Sequence, residues 1–147
     1  MPFRFALAPI LRLRQSIERQ RTLHLQEANL QVSRAQQKLA QLDRFLSDSL
    51  QSDSVALAAG RTAAELQFAS ILRENMQRFR EELQSDVRKL EVLRQKALGE
   101  YHQAYREREV LETLRSHQHR LYQQEQSHRQ QEELDAGYLL QRWHHQK

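Results

Sequence analysis

Apolar residues at Ala28, Val32, Ala35, Leu39, Leu42 and Leu46 are spaced by alternating steps of four and three. That is the 3.5-residue period of a heptad seam on a helix. Upstream the seam is looser, through Ile10, Leu13 and Ile17, then Arg21 or His24, then Leu25. A second run repeats the pattern at Leu72, Met76, Phe79 and Leu83, then at Val87, Leu90, Leu93 and Ala97, with a slip expected near Gly99 to Tyr101. Ala104, Arg108, Leu111, Leu114, Gln118 and Leu121 extend it weakly, and Tyr122 to Glu133 holds almost no apolar residue.

The two runs predict two long helices. Pro9 stands where a first-turn proline is tolerated. Residues 47–61 are rich in Ser and Asp, which compete for backbone hydrogen bonds and weaken helix interiors. Gly60 can close a helical turn in the left-handed conformation, and Thr62-Ala63-Ala64-Glu65 matches a capping box. Helix one is therefore expected over about 9–50, a connection over about 51–61 and helix two over about 62–143. Gly99 is a soft spot, costing roughly 1 kcal/mol relative to Ala. Gly137 either ends the second helix or lets it run on to Trp143.

Helices joined by a short connection pack antiparallel. Counting outward from the connection places Leu50 near Thr62 and Ile10 near His102. At about 1.5 Å per residue the helices measure ~60 Å and ~110 Å, so the second overhangs the first from about Gln103. The overhang is expected to fray in isolation, because it buries too little to offset about 1–2 kcal/mol of backbone entropy per residue. The expected fold is all-α: a long antiparallel two-helix coiled coil, or helical hairpin, forming one elongated coiled-coil domain over 1–147. A parallel homodimeric coil is the rival architecture, whereas the hairpin is expected to be a monomer when free. Composition supports few elements, since 147 residues include three Gly and two Pro. A sandwich or an α/β fold needs more turn residues.

Charge is uneven. Residues 1–26 carry five arginines, at Arg4, Arg12, Arg14, Arg19 and Arg21, against Glu18 alone, which accounts for the whole formal net charge of +4. This end is expected to face an acidic surface. A zipper-type nucleic-acid reader has a denser basic helix and base-reading residues such as a well-placed Asn, so a protein partner is the preferred reading. Cysteine is absent, which removes thiolate metal sites and cysteine nucleophiles. His117 and His119 point apart on a helix, and His144 and His145 are adjacent, so neither pair fits one metal. No Gly-rich phosphate loop and no nucleophile turn occur. Carboxylates such as Glu81, Glu82, Glu132 and Glu133 lie in charged helical runs. Neither catalysis, a cofactor nor a metal is expected. No membrane span is expected either, and Met1 to Leu13 makes a poor signal peptide, although its arginines also fit an organellar transit sequence.

The connection end gathers Phe45, Leu46, Phe68, Ile71 and Leu72. A two-helix seam covers one stripe per helix. Leu46 and Leu72 fit the seam, while Phe45 and Phe68 fall off it and should be partly exposed. They form either a local cap of the coil or a docking patch for a partner.

The opening Phe3-Arg4-Phe5-Ala6-Leu7-Ala8-Pro9-Ile10-Leu11-Arg12-Leu13-Arg14 resembles the start of the flagellar export protein FliJ family. So do Tyr105-Arg106-Glu107-Arg108-Glu109-Val110-Leu111-Glu112-Thr113-Leu114, then Tyr122, then Gln131-Glu132-Glu133-Leu134-Asp135. The order and spacing cover nearly the whole chain, with a departure at Ala136-Gly137, where many members keep acidic helical sequence. The resemblance implies a long antiparallel two-helix coiled coil similar to the central stalk of rotary ATPases. It implies a cytoplasmic protein of the type III export apparatus, peripherally associated with the inner membrane at the flagellar basal body. The implied partners are the hexameric export ATPase, which it stimulates, the cytoplasmic domain of the export gate membrane protein, and flagellar export chaperones. Nucleic acid and direct membrane insertion are not implied. Joined to the charge pattern, this assigns Arg12, Arg14, Arg19, Arg21, Arg106, Arg108 and Arg115 to the ATPase, and Leu42, Phe45, Phe68 and Leu72 to the gate. The alternative is a generic coiled-coil scaffold, or a zipper-type nucleic-acid-binding protein, unrelated to export.

Overall fold

The computed structural model describes residues 2–146. The described residues form two helices, α1 from Ala8 to Ala58 and α2 from Ala63 to His145, and no strand. The helices pack against each other as a helical hairpin. Ion pairs join Arg21 to Glu100, Arg80 to Asp43 and Arg73 to Asp53. Partner numbers fall in α2 as they rise in α1, so the pairing is antiparallel. The chain divides into two units, one combining residues 2–19 with 103–146 and the other spanning 20–102.

In the 20–102 unit, α1 does not stop at the Ser/Asp run. It continues through Asp53 to Ala58, and the connection is the four residues Ala59 to Thr62. Ser49, Asp53 and Ala56 continue the seam of Leu39, Leu42 and Leu46, all turned inward. Asp53, the one buried charged residue among those described, accepts hydrogen bonds from Arg61 at 3.0 Å and from Arg73. Tertiary pairing thus outweighs weak local propensity. Gly60 then turns the chain at φ +86°, a conformation open to glycine. The Thr62 hydroxyl accepts from the Glu65 N–H at 3.3 Å, as the capping box predicts. Thr62→Ala should lower stability by about 1 kcal/mol, read as a lower urea midpoint at unchanged slope.

The longer α1 moves the centre of the hairpin outward and shifts the register. Arg14 faces Glu107, so Ile10 lies beyond the expected level of His102. In the unit of 2–19 with 103–146, the segment before α1 also lies on α2. Phe5 is buried, and the Phe3 ring meets His119 edge-on at 4.9 Å and Tyr122 at 5.5 Å. The exposed stretch of α2 therefore begins later than Gln103. α2 passes through Gly137 without a break.

The seams differ from the sequence pattern in one respect. In α1 the inward residue near the start is Leu11, while Ile10 and Leu13 are exposed. In α2 one heptad row is small or apolar: Ala69, Met76, Leu83, Leu90, Ala97, Ala104 and Leu111. The other row is Arg73, Arg80, Val87, Arg94, Tyr101 and Arg108, all partly or fully buried. Leu72, Phe79 and Leu93, each one residue before an arginine of that row, are exposed instead. Arginine can lay its stem along an apolar seam and keep its head among acids or water. The slip expected near Gly99 does not occur, because Tyr101 carries the row between Ala97 and Ala104.

Candidate functional site

Each unit carries one candidate surface. At the turn of the 20–102 unit, Phe45 on α1 and Phe68 and Leu72 on α2 line an open groove of about 860 Å³. Phe45 is 48% and Phe68 70% exposed, so both aromatics lie off the seam as expected. Leu72 belongs with them and not with the seam. Leu42 is half-buried in the seam and does not line the groove. Asp48 and Glu65 stand on the rim, and Asp53 lies beneath, held by Arg61 and Arg73. The acidic rim was missed by a reading for apolar residues. Its signal was spacing, because Asp48 follows Phe45 by three and Glu65 precedes Phe68 by three, which places each pair on one helical face.

In the other unit two of the six anticipated arginines are held in ion pairs across the helices. Arg14 donates to Glu107 and Arg108 donates to Glu18 and Glu112. Arg108 also sits 5.1 Å from the Tyr105 ring centroid. Burial alone would lower its pKa, but Glu18 and then Glu112 more than reverse this, so its pKa lies above the ordinary value. Arg21, in the 20–102 unit, is likewise paired, with Glu100 at 3.0 Å. Arg80 there has its pKa raised by the hydrogen bond to Asp43.

Arg12, Arg19 and Arg115 are exposed and make no ion pair among the described residues, and Arg106 is exposed as well. Arg4, Arg12 and Arg115 line one groove of about 460 Å³ with Phe3, Phe5 and Leu11, and no acid lines it. Arg4, counted with the basic end but not among the residues assigned to the ATPase, joins them because the segment before Pro9 continues along α2 past Arg115. The geometry offers an apolar floor with three guanidinium groups, suited to an acidic residue beside an apolar one. Among the described residues no group of three or more His, Cys, Asp or Glu could hold a metal ion. No helix there is long and apolar enough to cross a membrane.

No curated protein and no solved structure gives a significant match. The family described as the flagellar FliJ protein matches residues 3–147, almost the full length, which sets aside a coiled coil unrelated to export. The chain belongs to the flagellar FliJ family and is a component of the flagellar export apparatus.

Proposed function

We propose that this chain is a non-enzymatic stalk of flagellar export that binds and stimulates the hexameric export ATPase. It docks on the cytoplasmic domain of the export gate and supports the cycling of export chaperones. In this reading it is a cytoplasmic monomer when free, held at the inner membrane face through the gate. The observation that carries it is the acid-free groove of Arg4, Arg12 and Arg115, which suits acidic loops of an ATPase ring. Arg19, seven residues after Arg12, extends the basic surface along α1, whereas Arg106, nine residues before Arg115, falls on the opposite side of α2 and outside the groove. Arg14 and Arg108 support that surface by fixing the two helices that carry it, and Arg21 pairs the helices within the 20–102 unit. The groove of Phe45, Phe68 and Leu72 serves the gate, with Leu42 behind it in the seam.

The test is ATP hydrolysis by the cognate export ATPase titrated with this chain. Arg12→Glu with Arg115→Glu should weaken the stimulation at least about tenfold in the concentration required, since charge at an interface of opposite sign is worth this order. Helical content should not change, because neither arginine makes an ion pair among the described residues. Full stimulation by the reversed variant would sink the assignment. Phe45→Ala with Phe68→Ala should weaken gate binding by about tenfold or more, as expected for aromatic anchors, and leave ATPase stimulation intact. Loss of both activities in a folded variant would contradict the division between the two surfaces.

A further inference from the structure

Far along α2, Ala136, Leu139, Leu140 and Trp143 follow the spacing i, i+3, i+4, i+7, which puts them on one helical face. The helix runs through all four. Leu139, Leu140 and Trp143 are 63%, 59% and 59% exposed, and neighbouring Tyr138 is 64% exposed. Successive residues lie about 100° apart on a helix, so Arg142 and His144 flank Trp143 on either side. From Ala136 to Lys147 there is no acidic residue, whereas Arg142, His144, His145 and Lys147 are basic or can become so.

Ala136, Leu139 and Trp143 fall at seam positions, but a polar gap parts them from the packed coil. Arg115, Gln118, Glu125, Arg129 and Glu132 occupy the successive seam positions between Leu111 and Ala136, apart from Tyr122. A second helix could not zip through so polar a gap to reach Leu139 and Trp143, which argues against a second copy of this chain. An apolar face of Leu and Trp, a Tyr beside it, flanking cations and no acid instead match the chemistry of a lipid interface. There the aromatic rings sit at headgroup level and cations meet anionic lipid. The helix is not apolar enough to cross, so it would lie in the interface plane.

We infer that residues 136–146 adsorb on anionic membrane surfaces, with Leu139, Leu140 and Trp143 in the headgroup layer and Arg142 on lipid phosphates. This contact is independent of the ATPase and gate surfaces proposed above, and its failure would leave the hydrolysis assay untouched.

Trp143 is the sole tryptophan of the chain, so its emission reports directly on the patch. The full-length chain is titrated with vesicles of equal phosphatidylglycerol and phosphatidylcholine, and with vesicles of phosphatidylcholine alone. A blue shift is expected on the anionic vesicles and little on the neutral ones. Leu139→Gln with Leu140→Gln should abolish it. Arg142→Ala should weaken partitioning about fivefold, the contribution of one basic residue near such a surface. Three results would overturn the inference: no shift on anionic vesicles, an equal shift on neutral vesicles, or a shift only when the export ATPase is added without lipid, which would assign the patch to a protein.

Discussion

Replacing Asp53 by alanine should lower the stability of the folded chain by about 2 kcal/mol, a large cost for one residue of a two-helix fold. Asp53 is 8% exposed and touches both Arg61 and Arg73. Without it, two guanidinium groups face each other across the turn with no acceptor between them. The Nε of Arg73 already lacks a partner. Removing one partner of a fully buried pair costs about 3–5 kcal/mol. The arginine side chains here are about one third exposed, so water recovers part of that. The measurement is the urea midpoint followed by helical circular dichroism. Asp53→Leu with Arg73→Leu should regain most of the loss, because a matched apolar pair replaces a buried ion pair at little cost. An unchanged midpoint in Asp53→Ala would show that the acid does not hold the turn.

The same residue marks where the fold could be read from the chain and where it could not. Helix type, number and antiparallel packing were legible, because heptad spacing survives even with arginines in the seam and because Thr62-Ala63-Ala64-Glu65 is a strong start signal. The end of α1 was not legible. Ser49 and Asp53 look like helix breakers locally, and the arginines brought to Asp53 from α2 and the turn make a helix there favourable. The seam of α2 was displaced for a related reason. A search for apolar residues selects Leu72, Phe79 and Leu93, whereas packing selects Arg73, Arg80 and Arg94 one step later. The candidate surfaces follow from this displacement. Leu72 is available to a partner because Arg73 takes the seam position after it, and Phe68 because Ala69 does.

Charged seam residues also set the register. Asp53 meets Arg73 in one unit and Glu18 meets Arg108 in the other, and the residue numbers of each pair add to the same total. A purely apolar heptad seam tolerates slippage by whole heptads, since every layer resembles the next. A buried acid that must meet an arginine penalises the slips that would set Asp53 against Leu66 or Val87 and Glu18 against Tyr101 or Tyr122, the role best attested for polar groups in coiled-coil seams. Fixing the register matters here because the groove of Arg4, Arg12 and Arg115 exists only if α1 and the segment before it are seated at the right level of α2.

Arg108→Ala tests that dependence and should be the second most damaging change. Its guanidinium reaches Glu18 from one helix and Glu112 at 2.7 Å and Glu109 at 3.5 Å on its own. Arg108 and Glu18 are 16% and 17% exposed. Alanine would leave Glu18 and Glu112 as neighbouring like charges with no cation between them, at a cost of about 2 kcal/mol, below the fully buried case because Glu112 reaches water. Arg108→Lys keeps the charge but loses the fork that serves two carboxylates at once, so it should recover about half of the loss. The loss should be local. Amide exchange should accelerate over residues 8–19 and 103–112 and stay slow over 28–46. ATPase stimulation should fall together with that protection, because Arg108 positions the basic surface and does not form it. Reversal of Arg12 and Arg115 should instead remove stimulation and leave protection unchanged. If Arg108→Ala lost stimulation with amide protection intact, Arg108 would be a contact residue for the ATPase, and its pairing with Glu18 would describe only the free chain.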